Sequence, residues 1–447
     1  MKKAMLIFIN CCLLHVFCFP QQTSYKFDFG GGKVEKGYTQ VLPTTLYNAQ
    51  RGYGFEFSSN LQSKNYNSNN ALLADYITSN QPFYFSAKLP EGNYNVKVIL
   101  GDKDGTSAAT IKAECRRLMV EKVETQKGKF ATVEFTVHVK DSLIRDAQGN
   151  VVSKVKLKPR ERSYLHWDDK LTLEFNNTDP KVCAVEIAPD TGATTVFIAG
   201  NSTVVDQANE PYAAWGQMLP SFFQPEKISI ANYAESGETL IAFKGERRLE
   251  KVFSMAKPGD YLFIEFAHND QKPGGNHLDP FTTYSQTLKG WISECRKRNI
   301  TPVLVTSMHR RRFDSTADTV INTLEDYPAA MRQVAKQENV TLLDLNAMSK
   351  TLYEAWGPAY SVKAFVHYPA NTFPNQPAEL KDDTHFNTYG AYELAKCIIE
   401  AIKKSDLPLK NFIVDGFKGF DPAKPDKFEA VYLPVSPPGK IIKPDGN

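Results

Sequence analysis

What the chain lacks narrows its reading first. No Cys-x-x-Cys pair occurs, and the seven cysteines (Cys11, Cys12, Cys18, Cys115, Cys183, Cys295 and Cys397) are scattered along 447 residues. That spacing suggests neither a zinc site nor a disulfide framework. A single Cys115–Cys183 bridge is open in an oxidising compartment, with buried free thiols the favoured state. An excess of one charge is missing too: 53 Lys+Arg against 50 Asp+Glu leaves a formal +3, so no nucleic-acid partner is indicated. There is no internal repeat, no low-complexity tract, no loop with the ligand spacing a calcium site demands, and no Gly-x-Ser-x-Gly elbow. Long apolar runs are scarce. The one at the N-terminus, "AMLIFINCCLLHVFCF" behind Lys2-Lys3, is short for a membrane span and has the polarity of an export signal. A signal peptide over residues 1–20 is therefore expected, cleaved between Cys18 and Gln22, with no membrane span and a periplasmic or extracellular destination. "HVFC" lacks the small residues of a lipoprotein site. Losing Lys2 and Lys3 takes the formal +3 to +1.

What is present divides in two, as the length suggests. Residues 21–190 alternate with period two: Tyr94, Val96, Val98 and Leu100 in "NYNVKVIL", then Val133, Phe135, Val137 and Val139 in "TVEFTVHVK". Turn chemistry separates the runs, and no convincing helix interrupts them, which predicts an antiparallel β-sandwich. The aromatics at 12% suit a sugar-handling surface and a large core alike. Tyr47, Tyr53, Phe55 and Phe57 are read as core.

From residue 191 to about 410 the pattern changes. "TVFIAG", "KISIAN", "DYLFIEFA", "TPVLVTSM" and "VTLLDLN" are short, nearly continuous apolar runs, as expected of strands buried on both faces of a parallel sheet. Helical stretches alternate with them; Tyr284, Leu288, Trp291, Ile292 and Cys295 share one helix face. The prediction is a three-layer α/β domain with its site outside the carboxyl ends of the strands. Residues 411–447, rich in Pro, Lys and Asp, read as an irregular tail.

Four short segments sit where such a site forms. Ser202 follows the first apolar run in "AGNSTVV", Gly237 follows the second in "NYAESGETL", and Asn269 follows the third in "AHNDQK". "DDTHFNTYG", before the last helix, holds Asp382-x-x-His385. In this order they resemble the Ser, Gly, Asn and His blocks of the SGNH hydrolase superfamily, most closely its rhamnogalacturonan acetylesterase branch. There the first block reads Gly-Asp-Ser-Thr, the third Gly-His-Asn-Asp and the last Asp-x-x-His. "KFDFGGGKVEKGYTQV" likewise resembles the galactose-binding-like β-sandwich often fused ahead of such esterases. Three positions depart from the pattern: Asn201 stands for Asp, Ala267 for Gly, and Glu238 where Arg is common.

The resemblance implies a flavodoxin-like catalytic domain and acyl transfer without cofactor or metal. Ser202 would be the nucleophile, His385 its base, and Asp382 the group that fixes the imidazole tautomer. Oxyanion donors would be the Ser202 and Gly237 N–H groups and the Asn269 amide. His268 and the run Arg310, Arg311 and Arg312 would face substrate, with arginine suited to a uronate carboxylate. The implied partner is acetylated pectic polysaccharide or oligosaccharide.

Each piece also has a plainer meaning. Ser202 alone reads as a helix cap, Asn269-Asp270 as a turn, Asp382-Asp383 as a solvated loop, and the arginines as a charged surface. Asn201-Ser-Thr formally reads as a glycosylation acceptor, though beside a buried strand end. The rivals are an esterase acting on methyl-esterified galacturonan or acetylated xylan, an inactive carbohydrate-binding protein with Asn201 as its mark of decay, and a two-carboxylate glycosidase. The ordered serine set outweighs them.

Overall fold

The computed structural model describes residues 23–57, 60–437 and 443–445; the expected signal peptide lies outside them. Two sheets face each other in the N-terminal half. One is built from Lys129–Val139, Gly92–Asp102, Lys181–Pro189, Tyr25–Phe29 and Thr39–Val41, with Asp75–Thr78 and Gln62–Asn65 at its margin. The other orders Tyr53–Glu56, Phe83–Lys88, Lys170–Asp179, Ser107–Ala113 and Arg117–Thr125. Pairing is antiparallel apart from Tyr25–Phe29 with Thr39–Val41, which run parallel. Between the sheets Phe85 packs against Phe27, Phe29 and Phe55 at centroid distances of 4.9, 4.9 and 5.4 Å. Of the four aromatics read as core, Phe55 is fully buried and Tyr47 and Tyr53 are half-buried, but Phe57 is exposed, its ring resting edge-on against Tyr84. All four described cysteines, Cys115 and Cys183 among them, are buried free thiols.

The second half is a five-stranded, all-parallel sheet in the order Ile228–Asn232, Thr194–Ala199, Tyr261–Ile264, Thr301–Val305, Thr341–Leu343. Numbered along the chain this is 2-1-3-4-5, the flavodoxin-like order, with its switch point between the first and third strands. Each strand is buried on both faces because its residues alternate between two apolar layers. Val196 and Ile198 pack under Trp215 and the helix Thr388–Lys404, while Phe197 and Ala199 pack under the helices Leu240–Gly245, Arg248–Met255 and Ser285–Lys297.

The period-two reading of Lys129–Val139 predicts that Thr136 and His138 face water, yet both are buried. The catalytic domain covers that face: His138 meets the Tyr233 hydroxyl at 3.1 Å and Asn93 at 2.8 Å. The seam between the domains is unusually polar. Fully buried Arg117 pairs with Asp206 at 3.1 Å, Arg116 with Glu210 at 2.6 Å, and Arg248 with both oxygens of Glu161 at 3.0 and 2.5 Å. Lys251, 0% exposed, holds Glu91 at 2.6 Å. The tail crosses both domains: Lys112 donates to the Pro434 carbonyl at 2.6 Å, and the Ser436 N–H donates to Glu210 at 2.9 Å.

Candidate active site

The first parallel strand ends at Ala199, and the chain turns sharply through Gly200, where a Cβ would meet Val204 at 2.7 Å. The turn is tied from within. Asn201 Oδ1 accepts from the Thr203 N–H at 3.1 Å and from the Thr203 hydroxyl at 2.9 Å, so Asn keeps the acceptor role an Asp would have. Its amide nitrogen is buried without a partner. Asn201 is 0% exposed, which removes it as a glycosylation acceptor. Ser202 is left at the strand's carboxyl end with its carbonyl accepting from Gln207 at 2.7 Å.

His385 and Asp382 do not open a helix. They lie in the strand Leu380–Phe386, which pairs antiparallel with Phe365–Tyr368 outside the main sheet. Phe365 faces Phe386 and the very next residue, Val366, faces Asp382, so residues 383–385 bulge out. The bulge is held by Asp382 itself, whose Oδ1 accepts from the N–H groups of Thr384 (2.9 Å) and His385 (3.0 Å). Its Oδ2 accepts from His385 Nδ1 at 2.8 Å, and His385 Nε2 stands 2.8 Å from Ser202 Oγ. Burial alone raises the Asp382 carboxyl, but the His385 hydrogen bond and charge and the two backbone donors bring it down to about 2. It is therefore a carboxylate at neutral pH and must accept. That places Nε2 where it can accept from the serine hydroxyl. Tyr212 packs its ring edge-on against the imidazole at 5.9 Å.

Gly237 adopts φ +83°, a left-handed conformation that a side chain strains. Among the described residues, no protein acceptor engages the N–H of Ser202 or of Gly237. The Asn269 amide is oriented at both ends: its nitrogen donates to the Glu238 carbonyl at 3.1 Å, and its oxygen accepts from Lys272 Nζ at 3.0 Å. One amide hydrogen of Asn269 remains to face a ligand. Glu238 is fully buried in an ion pair with Lys158 of the sandwich and 3.9 Å from Arg248. Where the family pattern has Arg at this position, the positive charge here comes from a neighbouring element.

The arginine run separates into three roles. Arg310 donates to the His268 carbonyl and to Thr323, each at 3.2 Å, and so braces the loop. Arg311 is spent on Asp383 at 2.9 Å, the Ser361 hydroxyl and the Pro358 carbonyl. Arg312 is exposed, with no side-chain partner among the described residues. His268 is buried beside Arg310 and His385; burial first, then those charges, hold it neutral far below the usual histidine range.

Several residues here carry no motif. Glu265, fully buried under the serine turn, accepts from Thr203 at 3.2 Å and contacts Ser307, and burial pushes its carboxyl up to about 7. Lys272 sets the Asn269 amide, and Arg116 of the sandwich donates to the Tyr212 carbonyl at 2.8 Å. The apolar run "LFIEFA" with a lone Glu inside is the one trace of Glu265 in the sequence.

A nucleophile-capable hydroxyl, an imidazole set by a carboxylate, and unengaged N–H donors at the switch point of a 2-1-3-4-5 sheet define an ester hydrolase of the three-layer α/β type. The chain belongs to the GDSL-like lipase/acylhydrolase family, whose model matches residues 197–391. Residues 25–150 match a β-agarase/YXIM esterase-like, galactose-binding domain-like family. It is 42% identical over 221 residues (49% of this chain, 94% of the relative) to rhamnogalacturonan acetylesterase RhgT of Bacillus subtilis (strain 168). It is 34% identical over 228 residues (50% and 98%) to the probable rhamnogalacturonan acetylesterase YesY of the same organism. The uncharacterized esterase YxiM, again of B. subtilis (strain 168), is 25% identical over 392 residues, covering 86% of this chain and 91% of the relative.

Proposed function

We propose that this protein is an exported esterase that removes acetyl groups from pectic polysaccharide, with the rhamnogalacturonan backbone as its substrate. The observation that carries the chemistry is the unbroken relay of two 2.8 Å contacts from Asp382 through His385 to Ser202. Ser202 Oγ attacks the acetyl carbonyl while His385 Nε2 takes its proton. Negative charge on the carbonyl oxygen is met by the Ser202 and Gly237 N–H groups and the Asn269 amide. The C–O bond to the sugar breaks, and the sugar oxygen leaves with the proton from His385. Water, deprotonated by the same nitrogen, then attacks acetyl-Ser202; the acyl C–Oγ bond breaks, Ser202 Oγ takes the proton back from His385, and acetate is released. Support for a pectic substrate comes from the names of the relatives RhgT and YesY. Support for export comes from the Lys2-Lys3 segment and its apolar run.

The test is acetate release from acetylated rhamnogalacturonan beside acetylated xylan and a small aryl acetate, with methanol release monitored in parallel. Acetate from the pectic polymer, lost in Ser202→Ala, is the expected result. Faster release from xylan, or methanol as product, overturns the substrate. Serine-independent release overturns the mechanism.

A further inference from the structure

The mouth of the relay is not bare. Three residues of the chain's own C-terminal tail, Lys443, Pro444 and Asp445, lie across it. Lys443 Nζ is 3.8 Å from Asp382 Oδ2, on the base side. Pro444 is buried. On the other side, a Cβ built on Gly237 would stand 3.0 Å from the Asp445 Cβ, so the aspartate sits against the loop that carries the unengaged Gly237 N–H. The Asp445 carboxylate is paired with Arg160 Nη1.

Arg160 belongs to the sandwich domain, in the turn Pro159–Ser163. Its position is fixed from behind: Nε and Nη2 hold the Glu235 carboxylate at 3.1 and 2.7 Å, and Nη2 also donates to the Ser236 carbonyl at 2.9 Å. These bonds use the inner edge of the guanidinium and turn Nη1 towards the cleft. Glu235 is 1% exposed, whereas Asp445 is 59% exposed at its side chain. Arg160 thus has a permanent internal partner and a second, solvent-side carboxylate that arrives from a tail. A guanidinium with one edge anchored and Nη1 presented is suited to a single charge-assisted hydrogen bond with a carboxylate ligand.

We infer that Arg160 is the residue that takes a uronate carboxylate of the substrate, and that Asp445 occupies its place in the resting enzyme as an internal surrogate. The inference rests on the pectic reading above, since an acidic sugar is what the arginine would recognise. It also gives the sandwich a role in specificity: it delivers one binding group to the edge of the oxyanion loop. Substrate must displace Lys443–Asp445 to reach Ser202, so the tail weakens apparent binding of any ligand whose carboxylate competes for Arg160.

The experiment uses the full chain with a small aryl acetate as reporter, and an unacetylated galacturonate-containing rhamnogalacturonan oligosaccharide as competitive inhibitor beside a neutral xylo-oligosaccharide. Arg160→Gln is expected to raise the inhibition constant of the acidic oligosaccharide roughly tenfold or more, the usual weight of one charge-assisted hydrogen bond. Arg160→Lys should recover part of the loss. Asp445→Asn, and separately removal of residues 438–447, should lower the same constant several-fold. The xylo-oligosaccharide should show no Arg160-dependent discrimination. An inhibition constant that Arg160→Gln leaves unmoved, or moves equally for both oligosaccharides, overturns the carboxylate assignment. One that both tail variants leave unmoved overturns the surrogate. Because the reporter is an aryl ester, these outcomes are read even if no acetate is released from the pectic polymer, which would sink the substrate proposal by itself.

Discussion

Arg248→Met offers the sharpest check on how the domains are joined. Arg248 opens the second helix after the Gly237 loop and is 0% exposed, with both Nη atoms on Glu161 of the sandwich, Nε 3.0 Å from Glu246, and Glu238 3.9 Å away. Methionine fills similar space, so the loss is electrostatic. Glu161, 0% exposed, would keep the Lys158 N–H at 2.7 Å and the Trp167 indole at 3.0 Å, with no cation directly on it. An uncompensated buried charge of this kind costs about 3–5 kcal/mol. Arg248→Met/Glu161→Gln removes the charge and keeps an acceptor for one of those two donors, with the amide nitrogen set against the other, so it should recover about 1–2 kcal/mol of that loss. Burial raises the Glu161 carboxyl, but Arg248 outweighs it and holds the group below its ordinary range. A depressed folded pKa contributes stability above the unfolded value and loses it as pH falls, so wild type and Arg248→Met should converge in acid. Urea unfolding followed by tryptophan fluorescence and by esterase activity reads all of this. A single-variant loss under about 1 kcal/mol, or no recovery in the double variant, refutes the argument that this pair seals the seam.

Two further outcomes follow from the site and its surroundings. Asn269→Ala should lower kcat about 100- to 1,000-fold with little change in KM, as expected for loss of the proposed oxyanion donor; an equal effect on KM would place Asn269 in ground-state binding instead. The pH dependence of stability should rise and then flatten as pH is lowered. Burial pushes Glu91, Glu265 and Asp270 up to about 7 and Glu114 to about 8. Raised folded pKa values mean stability gained as pH falls through them, down to the ordinary carboxylate range. Burial depresses His166 and His309 to about 4, and their contribution is lost as pH falls below the ordinary histidine value. The denaturation midpoint should therefore increase as pH falls from about 9, and go on rising below about pH 6.5, where the two histidines offset only part of the gain from the four carboxyls, before levelling in the ordinary carboxylate range; a monotonic fall between about pH 9 and about pH 6.5 would contradict the assignment.

The two folds were legible because their signals are local. Alternation in "NYNVKVIL" and continuous apolar runs such as "TVFIAG" report burial on one face or two, and the order of runs and helices fixes a parallel sheet. Ser202, Gly237, Asn269, Asp382 and His385 could be named because each follows a strand or precedes a helix in a resembled order. The structure brings Ser202, Asp382 and His385 into hydrogen-bond contact. What stayed hidden depends on partners far along the chain. Nothing near His138 announces Tyr233, and nothing near Glu238 announces Lys158 or Arg248. The arginine run looked like one feature, yet Arg310, Arg311 and Arg312 end in three environments because a loop turns each in a different direction. Asp382 and His385 share a bulged strand, not a helical turn, since the bulge depends on Phe365 and Val366 opposite.

The charged seam has a consequence for how such a protein can change. Arg116, Arg117 and Lys140 of the sandwich find their acceptors on the catalytic half, and Lys251 of the catalytic half finds its own on the sandwich. During synthesis the first domain emerges with these cations lacking their acceptors on the catalytic half, so its final packing waits on more than 100 later residues, as the 113 positions separating Arg117 from the Ile230 carbonyl illustrate. Cut apart, each half would expose a face of stranded charges. The architecture looks like two interchangeable parts, but it is heritable only as a pair: a new catalytic domain could replace the old one only if it arrived with matching acceptors.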